Sequence, residues 1–328
     1  RSGGGTPLAA TGRRAEMAAG GLDPQGPAAE SMADLWWLML GLGVAVFVVF
    51  AVVLAVGLFR RRPPEAAEPG SVQQNRFRGW MVGGGVAVPL IVIAVVFAAT
   101  VHAMRDIPTA APAGALVIEV VGHQWWWEVR YPEERITTAN EVHIPVGRSV
   151  ALRLTSADVI HSFWVPELGG KMDMLPDKTN TLVLEADEPG EHVSRCAEFC
   201  GLQHTLMGMV VVAEPADRFN SWVAARRQPA TEPGEATARR GAEVFLGAGG
   251  CASCHAVRGT AAVGTVGPDL THFASRPTLG AAPVRNTPDN RAAWVADPHA
   301  LKRGVAMPAT QLGADDLDAV LAYLGSLR

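Results

Sequence analysis

Two groups of cysteine and histidine residues are the parts of this chain that could bind metals. The 328-residue sequence holds only four cysteines, which fall into two close pairs, Cys196/Cys200 and Cys251/Cys254. A histidine follows each pair within a few residues. So few cysteines exclude a disulfide-rich scaffold. Because thiolate and imidazole are ligands of soft and borderline metals, both pairs indicate metal or haem chemistry.

The downstream pair forms the motif Cys251-Ala-Ser-Cys254-His255. Two thiols at this spacing can each add to a vinyl group of one haem, and the adjacent histidine then lies beneath the iron. Half of a zinc site and a reducible disulfide are the alternatives, although a zinc site needs two further ligands nearby. The spacing predicts a covalent haem c held by Cys251, Cys254 and His255.

A low-spin haem needs a second protein ligand on the other side of the iron. Met307 is the best candidate, because His/Met ligation raises the reduction potential and suits an electron acceptor. His272 and His299 are the rival candidates for this position.

Residues 235–328 resemble a class I cytochrome c domain over their whole length. The stretch Gly267-Pro268-Asp269-Leu270 matches the segment of that family whose proline carbonyl orients the haem histidine. The resemblance therefore implies that Pro268 fixes the ring of His255.

The upstream pair lies in a loop that reads Cys196-Ala-Glu-Phe-Cys200-Gly-Leu-Gln-His204-Thr-Leu-Met207. Soft ligands of this kind select copper. A mononuclear blue-copper site needs one cysteine, a nearby histidine, a weak methionine and a distant histidine, for which His161 is the candidate. The second cysteine allows two thiolates to bridge two copper ions. A disulfide and a zinc site are the alternatives, and methionine is a poor zinc ligand.

Two uncharged stretches, Leu35–Phe59 and Gly79–Val101, precede these motifs. Both are long enough to cross a bilayer, and membrane helices tolerate a proline such as Pro89 in the second. A pair of buried core helices is the alternative. The loop 60–78 is rich in arginine and is expected in the cytoplasm of a bacterial plasma membrane, with both termini on the outer side. Residues 1–33 lack the apolar core of a signal peptide and are expected to be a flexible segment.

The remaining boundaries follow from composition. Residues 34–105 form the predicted transmembrane hairpin, residues 106–217 a β-sandwich, residues 218–234 a helix and linker, and residues 235–328 an all-α domain. The β-sandwich is predicted from short β-prone runs separated by turn signals: Leu116 to Val121, Val150 to Thr155, Thr181 to Glu185 and Met209 to Val212. The sandwich segment carries 7 basic and 17 acidic residues, which suits a basic partner. The whole-chain charge of −4 gives no indication of nucleic-acid binding.

Residues 34–217 resemble subunit II of a haem–copper cytochrome c oxidase, in which two membrane helices precede a cupredoxin-like Greek-key domain. Three blocks carry the resemblance: Gly122 to Trp127 (Gly-His-Gln-Trp-Trp-Trp), Asp158 to Asp173 around His161, and the loop from Cys196 to Met207. With the fused cytochrome c domain, all of the chain after residue 33 resembles subunit II of a caa-type oxidase.

The resemblance implies a binuclear copper centre called CuA. Cys196 and Cys200 would bridge the two coppers with their thiolates, and His161 and His204 would each bind one copper. Met207 would be a weak thioether ligand of one copper, and the backbone carbonyl of Glu198 a weak ligand of the other. The Glu198 side chain would also reach a magnesium or manganese ion at the boundary with subunit I. Trp125 matches the aromatic residue through which electrons enter the copper centre. Of the three consecutive tryptophans, at least one is expected to be plain core.

The expected function is that of subunit II of a terminal oxidase. Electrons would pass from its own haem c to CuA and then to haem in subunit I, which reduces dioxygen to water and pumps protons. The implied partners are subunit I, subunit III, membrane lipid, and an external cytochrome c or quinol–cytochrome c reductase as donor. A CuA-bearing nitric oxide reductase and a free-standing membrane-anchored carrier are the alternatives. Quinol oxidases of the superfamily lack both cysteines of the loop, and nitrous oxide reductase needs a much larger catalytic domain.

Overall fold

The computed structural model describes residues 20–60, 78–281 and 284–328 of the chain. The described residues divide into two compact units, one within residues 30–107 and the other within residues 20–29 and 108–328. The first unit is helical, and the second holds a β-sandwich followed by a helical domain.

Two long apolar helices make up the helical unit. The first, α1 (Pro27–Phe59), begins at a proline, which suits the first position of a helix, and has Glu30 in its first turn, where a negative charge is favourable. The second helix begins at residue 78. It contains one wide π-turn at Gly83–Ala87 and continues as α2 (Val88–Asp106).

The π-turn ends at Ala87, two residues before Pro89, which is the second residue of α2. Proline has no N–H group, and its ring clashes with the carbonyl one turn earlier in a regular helix. A π-turn widens the backbone at this place and is a common accommodation for such an interruption.

The most apolar 18-residue stretches of the two helices have mean hydropathies of 3.0 and 2.5, and neither has any part buried within the described structure. Such exposure contradicts the alternative of a buried core pair and is typical of helices that face lipid. α1 begins eight residues before the predicted start at Leu35, and the second helix continues beyond the predicted end at Val101. Residues 1–19 of the predicted flexible segment and residues 61–77 of the predicted cytoplasmic loop lie outside the described residues.

The β-sandwich consists of two five-stranded sheets, with the strand orders β3-β2-β1-β5-β8 and β4-β10-β9-β6-β7. The pairs β1/β5 and β4/β10 are parallel, and the remaining pairs are antiparallel. The predicted sandwich is confirmed. Three of the four predicted β-prone runs lie within strands, and the fourth, Thr181 to Glu185, extends one residue beyond the end of β8. The strands are β1 (Leu116–His123), β2 (Trp126–Tyr131), β3 (Ile136–Ala139), β4 (Glu141–Pro145), β5 (Val150–Ser156), β6 (His161–Trp164), β7 (Met172–Met174), β8 (Asn180–Leu184), β9 (Gly190–Cys196) and β10 (Gly208–Glu214).

Large side chains from both sheets fill the sandwich core. Trp127, Tyr131 and Phe163 are fully buried there. The Tyr131 hydroxyl donates to the carbonyl of His143 at 3.0 Å and accepts from the N–H of the same residue at 2.7 Å. The helix α3 (Ala216–Arg226) closes one end, since its Trp222 stacks on the ring of His143 with 4.2 Å between the ring centroids.

The C-terminal domain is built on two crossing helices, α4 (Ala236–Leu246) and α7 (Ala314–Ser326). Their helix axes approach closely because Gly241 has no side chain: a Cβ atom there would lie 1.9 Å from the carbonyl oxygen of Ala319. Phe245 and Tyr323 pack edge to face beside the crossing. The shorter elements of this domain are β11 (Thr278–Leu279), β12 (Val284–Arg285), α5 (Pro288–Ala296) and α6 (Pro298–Leu301).

We predict that Gly241→Ala destabilises the C-terminal domain. Alanine is intrinsically better than glycine in a helix by about 1 kcal/mol. Here the added methyl group meets backbone atoms, and overpacking of this kind costs about 1–3 kcal/mol or more. Denaturant unfolding of the haem-loaded chain, followed by haem absorbance, measures the difference. Gly234→Ala is the matched control, because a Cβ atom at Gly234 has no neighbour within 4 Å. Equal stability of the two variants would contradict the close crossing.

Candidate copper and haem sites

The copper loop joins two neighbouring strands of one sheet. It leaves β9 at Cys196 and re-enters the sheet at the start of β10, and the N–H of Cys196 donates to the carbonyl of Met207 at 2.9 Å. The distant histidine comes from β6, which pairs with β9 so that Phe163 faces Cys196. His161 is the first residue of β6, so the sheet places it beside the loop.

The five predicted side-chain ligands converge at this edge of the sheet. The Cys196 and Cys200 sulfurs are 3.7 Å apart, and each has one imidazole close by: His161 Nδ1 lies 3.9 Å from Cys196 Sγ, and His204 Nδ1 lies 3.7 Å from Cys200 Sγ. The Met207 sulfur lies 3.8 Å from Cys200 Sγ. A disulfide needs about 2.05 Å between its sulfurs, and both thiols are free. The arrangement therefore contradicts the disulfide alternative and offers two soft half-sites of the kind that copper selects.

The two thiols share protons unequally. The hydrogen bond between the two sulfurs lowers the pKa of Cys196 and raises the pKa of Cys200. Cys196 is therefore the thiol that loses its proton more readily. Metal binding would require both cysteines in their deprotonated form.

Glu198 lies between the two cysteines, and its two oxygen-bearing groups have different neighbours. Its backbone carbonyl oxygen, which the resemblance implies to be a weak copper ligand, is 3.2 Å from Cys196 Sγ. Its carboxylate is 45% exposed and lies 3.5 Å from Lys171 Nζ. The carbonyl thus faces the cysteine and histidine cluster, whereas the carboxylate faces away from it toward the ammonium group of Lys171.

The ring of His161 is held in place by its surroundings. Its Nε2 lies 2.8 Å from a carboxylate oxygen of Asp158, which fixes the orientation of the ring and leaves Nδ1 toward Cys196. Gly122 on the neighbouring sheet leaves the space that the ring fills, since a Cβ atom there would lie 2.7 Å from His161 Cδ2.

The three consecutive tryptophans take different positions. Trp127 is fully buried core, as expected of at least one of them. Trp126 stacks on His123 with 4.3 Å between centroids. Trp125 contacts the copper loop: its indole Nε1 donates to the carbonyl of Cys200 at 2.9 Å, and the side chain of Gln124 donates to the same oxygen at 2.7 Å.

The haem motif lines a cavity within the larger unit. The cavity wall includes Cys251, Cys254, His255 and Met307 from the C-terminal domain, and Trp125 from the sandwich. The predicted haem ligands therefore face one space, and the residue predicted to admit electrons to copper borders that space.

His255 has the seat that a haem ligand requires. Its Nδ1 lies 2.8 Å from the carbonyl oxygen of Pro268, so that Nε2 is left free. Burial lowers the pKa of His255, which keeps the imidazole neutral and able to bind a metal. A Cβ atom at Gly267 would lie 2.6 Å from the ring, so only glycine leaves room for it. These contacts fit a haem c held by the Cys-x-x-Cys-His motif.

The two rivals of Met307 lie elsewhere. The ring nitrogens of His272 lie 2.9 Å from the carbonyl of Arg328 and 3.0 Å from the carbonyl of Gln228. The Nδ1 of His299 accepts from the N–H of Gly304 at 3.3 Å. Neither histidine lines the cavity, whereas Met307 does.

Comparison with known proteins agrees with this geometry. The family described as "Cytochrome C oxidase subunit II, periplasmic domain" matches residues 134–214, and the family "Cytochrome c" matches residues 238–328. Cytochrome c oxidase subunit 2 of Alkalihalophilus pseudofirmus is 37% identical over 314 residues, 94% of this chain and 90% of that protein. The chain belongs to the cytochrome c oxidase subunit II family. The resemblance seen in the sequence is thereby confirmed.

Two further similarities were found for this subunit II. Cytochrome c oxidase subunit 2 of Bacillus subtilis is 30% identical over 332 residues, 94% of this chain and 91% of that protein. The solved periplasmic domain of subunit II of cytochrome oxidase from Bradyrhizobium japonicum is 28% identical and covers 36% of this chain and 97% of that chain, with a TM-score of 0.35. Membership of the family implies CuA copper in the sandwich and haem c in the C-terminal domain, and the two apolar helices anchor the subunit in a membrane.

Sequence reasoning missed two residues of this subunit II that border the sites. Gly122 belongs to the sequence block from Gly122 to Trp127, but its steric role depends on the ring of His161 in the opposite sheet. Lys302 carries no motif, yet it is 1% exposed and its Nζ donates to three backbone carbonyls, including that of Trp125. A lysine in a polar loop gives no signal that it will be buried.

We predict that Gly122→Ala lowers copper affinity about 10- to 100-fold, the range typical of changes that disturb the support of a metal ligand. The new methyl group would push the His161 ring away from Cys196. Copper content per chain and the visible spectrum of the purified subunit report the effect. Gly190→Ala is the control, because a Cβ atom there makes only an ordinary 3.5 Å contact with His192. Full copper content in Gly122→Ala at low free copper would refute this role.

Proposed function

We propose that this chain receives electrons on its own haem c, transfers them to a binuclear CuA centre, and delivers them to haem in subunit I of a cytochrome c oxidase that reduces dioxygen to water and pumps protons. Two relatives that align with this chain over 90% and 91% of their own length are named cytochrome c oxidase subunit 2. The haem and the copper pair supply the one-electron chemistry, and the protein supplies ligands, geometry and exclusion of water.

One observation supports this relay above the others. The indole of Trp125 borders the cavity of the haem motif and at the same time donates to the carbonyl of Cys200, a proposed copper ligand. A single side chain therefore connects the two proposed cofactor sites. We propose Trp125 as the residue through which electrons enter the copper centre.

The proposed copper ligands follow the geometry of the loop. Cys196 and Cys200 would bridge the two ions, His161 and His204 would each bind one, and Met207 and the carbonyl oxygen of Glu198 would complete the two half-sites weakly. The proximity of these groups supports the assignment. For haem c, Cys251 and Cys254 would attach the group, His255 and Met307 would be the ligands of its iron, and Pro268 would orient His255.

Subunit I is the partner that the family implies. We propose subunit III, membrane lipid, and an external cytochrome c or quinol–cytochrome c reductase as the further partners. The sandwich and haem domain would lie on the periplasmic or extracellular side of a bacterial plasma membrane, because the loop between the helices is rich in arginine. The carboxylate of Glu198 is the proposed contribution to a magnesium or manganese site shared with subunit I, where it would exchange its contact with Lys171 for the ion.

Purification of the chain from native membranes in mild detergent tests the function. We expect a copurifying subunit with haem and copper, cyanide-sensitive dioxygen uptake with reduced cytochrome c, and two coppers with one covalent haem per chain. A partner that consumes nitric oxide but not dioxygen would establish the nitric oxide reductase alternative. A fully loaded chain without partner or turnover, under conditions that retain subunits of a known oxidase, would establish the free-standing carrier. One copper per chain with a blue mononuclear spectrum would overturn the binuclear assignment.

We predict that Met307→Ala leaves the haem covalently attached but converts it from low to high spin, because the covalent bonds come from Cys251 and Cys254 while the sixth ligand is lost. Haem staining in a denaturing gel and the visible spectrum of the native chain measure the two properties separately. Met104→Ala, in α2, is the control and is expected to keep the low-spin spectrum. A low-spin spectrum in Met307→Ala would assign the ligand role to His272 or His299.

A further inference from the structure

Lys302 is a buried charged residue that the proposed relay does not use. It follows the short helix α6 (Pro298–Leu301) in the haem domain and is 1% exposed. Its Nζ lies 2.7 Å from each of three backbone carbonyl oxygens: those of Trp125 and Leu206 in the sandwich, and that of Gly280 in the haem domain itself.

These contacts satisfy the side chain completely. An ammonium group has three N–H donors, and each has one carbonyl acceptor here. Within the described ranges no carboxylate forms an ion pair with Lys302. Burial lowers the pKa of Lys302 to about 7, and the charge of the nearby Cys200 thiolate opposes this shift. The three carbonyl oxygens accept from the ammonium group and so also favour its charged form. Burial of a charged ammonium group is costly unless it is hydrogen-bonded. Lys302 therefore favours the arrangement of the chain in which all three carbonyl oxygens stay within reach of Nζ.

The two sandwich acceptors are those that border the proposed cofactor sites. Trp125 lines the haem-motif cavity and donates its indole N–H to Cys200. Leu206 directly precedes Met207 in the copper loop. One lysine of the haem domain thus holds the backbone on both sides of the proposed path between the cofactors.

Further contacts around Lys302 join the same surfaces. The N–H of Gly208, the first residue of β10, donates to the carbonyl of Ala281 at 2.9 Å. Ala281 has a left-handed backbone (φ 65°) and packs with the buried core of the sandwich, although it belongs to the haem domain in sequence. The side chain of Gln203 in the copper loop donates to the carbonyl of Arg303 at 2.5 Å. The haem domain is therefore seated on the copper loop by a set of hydrogen bonds with Lys302 at its centre.

We propose that Lys302 is a positioning residue that fixes the haem domain against Trp125 and the copper loop, so that electrons pass between the two cofactors at a constant separation. The proposal rests on the proposed relay for its consequence, whereas the docking itself does not depend on it. Without Lys302 the two domains remain joined by the chain and keep their own folds, but their relative position is no longer unique.

The test uses the complete cofactor-loaded chain in its purified complex, as Lys302→Met and, separately, as Lys302→Gln, which keeps N–H donors without the charge. Lys178→Met is the control, because Lys178 is exposed on the sandwich. The first readout is hydrogen exchange of the Gly208 amide, whose acceptor lies across the domain contact. The second is the rate at which copper is reduced after rapid photochemical reduction of the haem.

In Lys302→Met we expect exchange of the Gly208 amide and the haem-to-copper rate each to change by about tenfold, exchange becoming faster and electron transfer slower, since misplacement of about 1 Å can cost this much or more. The haem and copper spectra should stay as they were, and amides within the β9–β10 ladder should exchange at the original rate. In Lys302→Gln the exchange of Gly208 and the haem-to-copper rate should lie between those of Lys302→Met and those of the unsubstituted chain. Lys178→Met should match the unsubstituted chain in both.

Unchanged exchange and an unchanged rate in Lys302→Met would overturn the proposal. Failure of both substituted chains to bind copper or haem would also overturn it, because it would assign Lys302 to the folding of a domain rather than to the position of one. Absence of haem-to-copper transfer in the unsubstituted chain would instead refute the proposed relay, and in that case the exchange of Gly208 still decides whether Lys302 positions the domains.

Discussion

The pairing of β9 with β10 is the constraint on which the chemistry of this chain depends. It closes the copper loop between Cys196 and Met207, which share a backbone hydrogen bond at its base. With both ends fixed in the sheet, the loop brings the sulfur and imidazole groups of Cys196, Cys200, His204 and Met207 together. The pairing of β9 with β6 then places His161 beside the loop. Ligand geometry is thus set by strand register, which a one-residue slip would destroy.

The backbone carbonyl of Cys200 shows how tightly the surroundings of the loop are specified. It accepts from the Gln124 side chain and from the Trp125 indole, both on the segment between β1 and β2 of the other sheet. The loop is therefore tied to both sheets of the sandwich. Each of these contacts leaves the sulfur free for metal, because the acceptor is backbone rather than thiolate. His255 shows the same arrangement, in which a backbone carbonyl positions a group without occupying its ligand atom. The carbonyl of Pro268 fixes the ring through Nδ1 and leaves Nε2 free.

The sequence was sufficient to predict the parts of the sites that depend on short spacing and side-chain chemistry. The motif from Cys251 to His255 and the loop from Cys196 to Met207 are local, so their donor sets are visible without a fold. Lys302 was not predictable, because its acceptors are backbone carbonyls that lie 177, 96 and 22 residues away and have no signature in side chains. The early start of α1 at Pro27 was missed for a different reason: the surrounding glycine- and alanine-rich composition obscured a proline and an acidic residue that are typical of a helix start.

The contact between the haem domain and the sandwich uses few charges. The haem domain carries 9 basic and 8 acidic residues, against 7 and 17 in the sandwich, and in the part of the chain that the structure describes no ion pair joins the two. The contact instead consists of hydrogen bonds to backbone carbonyls, as at Lys302, Gly208 and Gln203.

An electron-donor protein that is a separate molecule finds an acidic partner by long-range attraction. Salt at 0.1 M screens that attraction beyond a distance of about 10 Å. Buried hydrogen bonds to carbonyls are screened far less. A fused donor needs no attraction to find its partner, because the linker already supplies roughly millimolar effective concentration. The short-range contacts can then be devoted to one orientation, and the acidic surface of the sandwich that the haem domain does not cover stays available to other molecules.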